Sequence, residues 1–154
     1  MLVPSFTQRA AFSLLELVVT LGVVCIVTGT AALAWPRVDA AMQLDSGLHQ
    51  VAADLQAART LAVASARRVR MVFTAGADRY WREQADDSGA YHRDLDRPLP
   101  RGIRVIAVNS GGSFVFSPRG QAENGTITLV DQRGTARALR LNQRGRITIL
   151  PVDS

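Results

Sequence analysis

Residues Phe12 to Trp35, FSLLELVVTLGVVCIVTGTAALAW, form a predominantly apolar run whose only ionisable carboxylate is Glu16. As a helix this run would extend about 36 Å, enough to cross a hydrocarbon core of about 30 Å. A membrane span is therefore expected. Glu16 narrows the choice. A carboxylate within a span costs on the order of 2.5–3.5 kcal/mol and normally persists because something pairs with it. An amine at Phe12, one helical turn back, would be such a partner, and it exists only if the chain is cut between Ala11 and Phe12.

Two other readings fit the same segment. Ala32-Leu33-Ala34 offers an A-x-A site behind the apolar run, with Arg9 as positive flank, as in an ordinary secretory signal peptide. The run is longer than the usual h-region, however, and a Glu fits poorly inside one. Alternatively the segment is a plain anchor, with Glu16 snorkelling toward the interface.

The order of parts resembles the class III signal of type IV pilins and type II secretion pseudopilins: a leader MLVPSFTQRAA with Arg9 as its only charged side chain, then Phe12, then Glu16. The resemblance implies that a prepilin peptidase cuts between Ala11 and Phe12, that the new Phe12 amine is methylated, and that Glu16 guides assembly. The family's usual residue before the cut is Gly; Ala11 is the smallest substitute, and slower processing is expected from it.

Beyond Pro36 and Arg37 the pattern stays helical. Val38, Ala41, Leu44, Leu48, Val51, Leu55, Ala58 and Ala62 recur at spacings of three and four, with Asp39, Gln43, Ser46, Gln50 and Asp54 on the other face. A helix from about Phe12 to about Arg68 is expected, apolar in its first half and amphipathic in its second. From Val69 short apolar runs alternate with turn residues, which predicts strands at 69–74, 79–84, 103–108, 113–116, 126–131, 136–142 and 146–150. Gly111-Gly112 suits a hairpin turn. The polar stretch Asp86 to Arg101 reads as an exposed loop, and no internal repeat is apparent. Seven strands and one helix stripe predict an antiparallel sheet or small sandwich packed on the helix.

The C-terminal third strengthens the comparison. Phe116, Pro118 and Gly120, followed by Gly145 and Arg146, resemble the Phe-x-Pro-x-Gly element and closing Gly-Arg strand of the H-type minor pseudopilins and related type IV pilus minor pilins, the GspH/FimT-like group. As chemistry these are turn formers and a core aromatic. All 18 basic residues are Arg, and the formal charge is +5. Arg133, Arg137, Arg140, Arg144 and Arg146 crowd the end of the chain against one acid, Asp131. Arg137, Arg140, Arg144 and Arg146 are candidate contacts to an anion or to DNA phosphates. The Gly-Arg-x-Arg element of some DNA-uptake relatives is incomplete here, since Thr148 stands at its last position, and no aromatic series accompanies the arginines. A solvated or subunit-facing strand edge is therefore preferred over DNA.

Enzyme chemistry finds little support. His49 and His92 have no cysteine partner or zinc spacing, Asp86, Asp87, Asp94 and Asp96 do not match a calcium loop, and Ser113 and Ser117 lack a nucleophile-elbow setting. Cys25, the only cysteine, makes no intramolecular disulfide. No metal or cofactor is expected.

The reading is an α+β, pilin-like chain: leader 1–11, transmembrane helix 12–36, amphipathic helix half 37–68 and β-rich domain 69–154. The resemblance implies a non-enzymatic minor pseudopilin in the bacterial inner membrane, its globular domain in the periplasm. Its partners would be other minor and major pseudopilins, the prepilin peptidase and the inner-membrane assembly platform. A type IV pilus minor pilin for pilus assembly or DNA uptake is the alternative, and an anchored or secreted periplasmic binding domain a third reading.

Overall fold

The computed structural model describes residues 13–151, with side chains for 13–30 and 39–150. It divides into two compact units, 1–37 and 38–154, joined within one helix, α1 (Leu14–Ser65). In the first unit every described side chain from Ser13 to Thr30 is exposed. Thr20 and Thr28 tuck their hydroxyls onto carbonyls one turn back, at Glu16 and Val24, so their polar groups are satisfied within the helix. Among the described residues no helix is long and apolar enough to cross a membrane. The expected span at 12–36 reaches beyond the described side chains at both ends.

In the second unit the helix stripe does what its spacing dictates. Leu44, Leu48, Val51, Leu55, Ala58 and Ala62 are all buried in the core. Each leucine or valine withdrawn from water contributes roughly 1.5–3 kcal/mol. Ala41, expected in the stripe, is exposed, so burial starts one turn later, at Leu44. The helix also stops before the expected Arg68. Ala66 turns left-handed at φ 54°, which ends the helix at Ser65 and frees the chain to enter β1.

Two antiparallel four-stranded sheets receive the stripe. One has the order β3-β2-β1-β5, built from β1 (Val69–Phe73), β2 (Arg79–Ala85), β3 (Tyr91–Pro98) and β5 (Ser113–Phe116). The other, β4-β6-β7-β8, comprises β4 (Arg104–Val108), β6 (Gly125–Val130), β7 (Ala136–Leu141) and β8 (Ile147–Pro151). Alternation places Val69, Met71 and Phe73, Phe114 and Phe116, and Ile127 and Leu129 on the core faces. Phe73 stacks on Tyr80 at 5.1 Å between ring centroids and meets Phe114 edge-on at 5.9 Å.

Three further sequence expectations are corrected. The stretch read as an exposed loop contains β3, an edge strand with no buried side chain. Apolar alternation could not reveal it, because its pairing with β2 is reinforced by charge: Arg82 grips Asp94 with two guanidinium nitrogens at 2.8–3.0 Å, and Arg93 lies over the Trp81 ring at 4.2 Å. Gly111-Gly112 does not close a hairpin. It lies in a short 3-10 turn (Ser110–Gly112) that carries the chain from β4 in one sheet to β5 in the other.

A short repeat is also present, in the turns. Asp131-Gln132-Arg133-Gly134 and Asn142-Gln143-Arg144-Gly145 close the β6–β7 and β7–β8 hairpins in the same way. The Asp131 carboxylate accepts the N–H groups of Arg133 and Thr135, both at 2.8 Å, and the Asn142 side-chain oxygen Oδ1 accepts those of Arg144 and Arg146 at 3.1 and 2.9 Å. Asp86 and Ser117 head turns of the same kind. A side-chain acceptor at the first position and a left-handed glycine at the fourth make a three-residue hairpin loop.

Candidate interaction surface

The two sequence elements that carried the family comparison meet at one side chain. Arg59, half-buried on α1, donates its Nε–H to the Gly120 carbonyl at 2.9 Å. Gly145 packs against the same guanidinium: a Cβ at Gly145 would lie 2.7 Å from Arg59 Nε and 2.8 Å from its Cδ. Gln56, one turn earlier, reaches the Gly145 carbonyl at 3.4 Å. Gly120 and Gly145 are both buried and left-handed, so each supplies a turn conformation and room for Arg59 at once. Arg59 thereby fastens the β5–β6 and β7–β8 turns to the helix. Its role was invisible in sequence, because nothing local links position 59 to 120 or 145.

The same topology divides the arginine cluster. Arg133 and Arg137 lie at one end of β7, and Arg140, Arg144 and Arg146 at or beyond the other; six residues of strand separate the ends by roughly 20 Å. Arg137 shares the core-side face with Leu139 and Leu141, and at its rim it pairs with Asp45 of α1 at 3.3 Å. Arg140 points to the outer face, opposite Thr126 and Thr148. Arg144 and Arg146 are exposed in and after the Asn142 turn. The structure therefore keeps Arg144 and Arg146 together and removes Arg133 and Arg137 from them. Near the Arg59 junction it adds Arg119, which with Gln56, Arg59, Thr60, Val63 and Gly120 lines a groove of about 360 Å³. Guanidinium groups in such a groove suit a carboxylate or phosphate.

Acids and their partners gather on the other sheet. Glu83 is pushed up by burial, but hydrogen bonds from Arg70 at 2.5 Å and from the Trp81 indole at 2.7 Å outweigh this and leave its pKa below the ordinary 4.5. Asp86 is held well below the usual carboxylate range by hydrogen bonds from Ser88 and His92 and from the turn amides. Tyr80, fully buried, has its phenol pushed far above its usual value by burial and by the Asp54 carboxylate, to which it donates at 2.6 Å. Gln50 completes this group, donating to the Tyr80 oxygen at 3.1 Å and to the Pro98 carbonyl at 2.8 Å. Arg97 lies 3.4 Å from Asp54. Asp54 and Gln50, placed by sequence on the polar face, in fact tie the helix to β2 and to the end of β3.

Of the assembly residues, Glu16 stands exposed in the first turn of α1. Ala11 and Phe12 lie outside the described residues. Among the described residues no three His, Cys, Asp or Glu side chains are placed to hold a metal ion.

The family model described as type II transport protein GspH matches residues 48–145, which take in the buried stripe from Leu48, all the turns above and seven of the eight strands. The chain belongs to the GspH family. No curated protein matches it. Two solved structures show the same fold as this GspH-family chain. The minor pseudopilin EpsH from the type 2 secretion system of Vibrio cholerae has a TM-score of 0.60 at 10% identity, covering 71% of this chain and 97% of that one. The type IV minor pilin FimU of Pseudomonas aeruginosa has a TM-score of 0.57 at 21% identity, covering 70% and 88%. A long helix packed on antiparallel sheets is the pilin-like α+β architecture expected for a GspH-family chain.

Proposed function

We propose that the chain is an H-type minor pseudopilin, a structural subunit of the tip region of a type II secretion pseudopilus that serves protein export. The observation that carries this reading is Glu16 in the first turn of a helix whose apolar side chains from Leu14 to Val27 are left to solvent, on a chain of the GspH family. Residues 12–36 cross the inner membrane before assembly, after the leader 1–11 is removed between Ala11 and Phe12 and the Phe12 amine is methylated. In the filament Glu16 meets the N-terminal amine of a neighbouring subunit; opposite charges attract far more strongly among apolar helices than in water. Residues 37–68 carry the β-rich domain, 69–154, into the periplasm, where it presents surfaces to other minor and major pseudopilins. The prepilin peptidase and the assembly platform act on the chain before that, and it performs no catalysis itself.

The test combines processing and assembly. Mass spectrometry of protein from host membranes should find a mature chain beginning with methylated Phe12. The Glu16→Gln variant should insert and be processed normally yet co-purify poorly with the other pseudopilins. A mature terminus at Trp35, or unchanged assembly and secretion with Gln at 16, would overturn the reading.

The second reading, a minor pilin of a type IV pilus, draws on the likeness to FimU, whose identity to this chain is 21% against 10% for EpsH. Deleting the gene in its host separates the two. Lost secretion with intact pili supports the pseudopilin, and lost pili with intact secretion supports the pilin. DNA uptake is the weaker branch of that second reading, because the arginines offered for it do not form one patch.

A further inference from the structure

The turns after β6 and β7 are built alike but headed differently, by Asp131 in one and Asn142 in the other. Either side chain supplies the oxygen that the turn amides need, and an ionised carboxylate is the stronger acceptor. Arg140, Arg144 and Arg146, close by in the chain, would favour a negative charge at 142 as well. Turn chemistry and local charge thus both prefer Asp there, and the neutral amide calls for another reason.

That reason lies in what Asn142 faces. With Asn109, Asn124, Thr126 and Arg140 it lines a cleft of about 430 Å³ at one end of the β4-β6-β7 ladder, and no Asp or Glu lines it. Thr126 sits centrally. Arg140 is its register partner on β7, and from the β4 side Asn109 donates its N–H to the Thr126 carbonyl at 3.2 Å and accepts the Thr126 N–H on Oδ1 at 2.5 Å. These bonds fix how the carboxamides are turned: Oδ1 of Asn109 and of Asn142 are both committed to backbone N–H groups, so each amide has only its NH₂ donors left to offer. The Asn142 Nδ2 has no partner among the described residues and reaches solvent. Arg140 is exposed without an ion-pair partner among the described residues, between the neutral Thr126 and Thr148. The cleft is therefore rich in donors and poor in free acceptors.

From this we infer that the cleft is a binding site for a phosphate group, held by the Arg140 guanidinium, the amide nitrogens of Asn109 and Asn142 and the Thr126 hydroxyl. Donors carried on three strands approach from different directions, which suits the outward oxygens of a tetrahedral phosphate better than the two coplanar oxygens of a carboxylate, and the Arg140 fork can take two of them. Asn142 in place of Asp keeps a negative charge out of the anion's position. The inference stands whether or not the N-terminal helix assembles into a filament.

The test follows the side-chain N–H signals of the full chain by NMR in maltoside micelles, titrated with inorganic phosphate. The Arg140 Nε–H and the NH₂ groups of Asn109 and Asn142 should shift together along one saturable curve, while the Arg133 Nε–H at the far end of β7 stays in place. Asn142→Asp and Asn109→Asp keep the oxygen that accepts the backbone N–H groups but replace the donors with a charge; Asp131 already heads the equivalent turn, so the Asn142 variant should retain its near-ultraviolet circular dichroism and lose phosphate binding. Arg140→Gln touches no turn and keeps the test decisive if either Asp variant misfolds; it should weaken binding at least ten-fold, and Arg133→Gln less than two-fold. Dihexanoyl phosphatidylglycerol added to the micelles separates the sources: displacement of phosphate assigns the site to a lipid headgroup, and its absence to a soluble phosphate. No saturable shift, equal binding of acetate, or phosphate binding that survives Asn142→Asp and Arg140→Gln would overturn the inference. So would duplex DNA that binds at Arg140 while inorganic phosphate shifts none of these signals.

Discussion

Replacing Gly145 with Ala tests the junction at Arg59, because the same turn elsewhere in the chain provides an internal control. Gly134 and Gly145 hold the same position in equivalent turns, at φ +87° and +74°. A Cβ at Gly134 meets nothing within 4 Å, whereas at Gly145 it would fall 2.7 Å from Arg59 Nε. Gly134→Ala should therefore incur only the left-handed backbone penalty, about 1–2 kcal/mol. Gly145→Ala incurs that penalty and also displaces Arg59 from the Gly120 carbonyl, a charged hydrogen bond worth roughly 1.5–3 kcal/mol. Its total is about 2.5–5 kcal/mol. At about 4 °C per kcal/mol for a domain of this size, the Gly145 variant should melt on the order of 10 °C or more below wild type, and the Gly134 variant roughly 4–8 °C below. Thermal melts followed by near-ultraviolet circular dichroism would measure both. In an Arg59→Ala background the excess at Gly145 should largely vanish, since the obstructing atoms and the hydrogen bond are already gone. Equal destabilisation by the two alanines, or an excess that survives the loss of Arg59, would refute the junction.

Tyr80→Phe should destabilise the domain by about 1.5–3 kcal/mol, because Asp54 loses a buried donor while the ring packing on Phe73 is kept; chemical denaturation would measure it, and a neutral result would show that water replaces the hydroxyl. Acid should also weaken the fold. The folded-state pKa values of Glu83 and Asp86 are depressed, so their contribution is present above the unfolded values and lost as pH falls from about 4.5 downward through the folded ones. Urea titrations at stepped pH should show this loss, and Glu83→Gln should reduce its slope.

What the amino-acid sequence determined by itself was whatever local period and turn chemistry encode. The stripe from Leu44 to Ala62 repeats at helix spacing, and apolar alternation marked seven of the eight strands to within a residue or two. Asp131, Asn142 and their glycines carry enough turn chemistry to end one strand and begin the next. The third strand escaped because it lies at an edge and is held by Arg82, Asp94, Arg93 and Trp81 across the ladder, so no apolar alternation records it. Only tertiary structure decided that Gly120 and Gly145 share Arg59, that Asp54 and Gln50 leave the solvated face to hold Tyr80, and that the C-terminal arginines part to opposite ends of β7. These are pairings between residues far apart in the chain, and a one-dimensional pattern has no term for which distant backbone or charge will stand opposite.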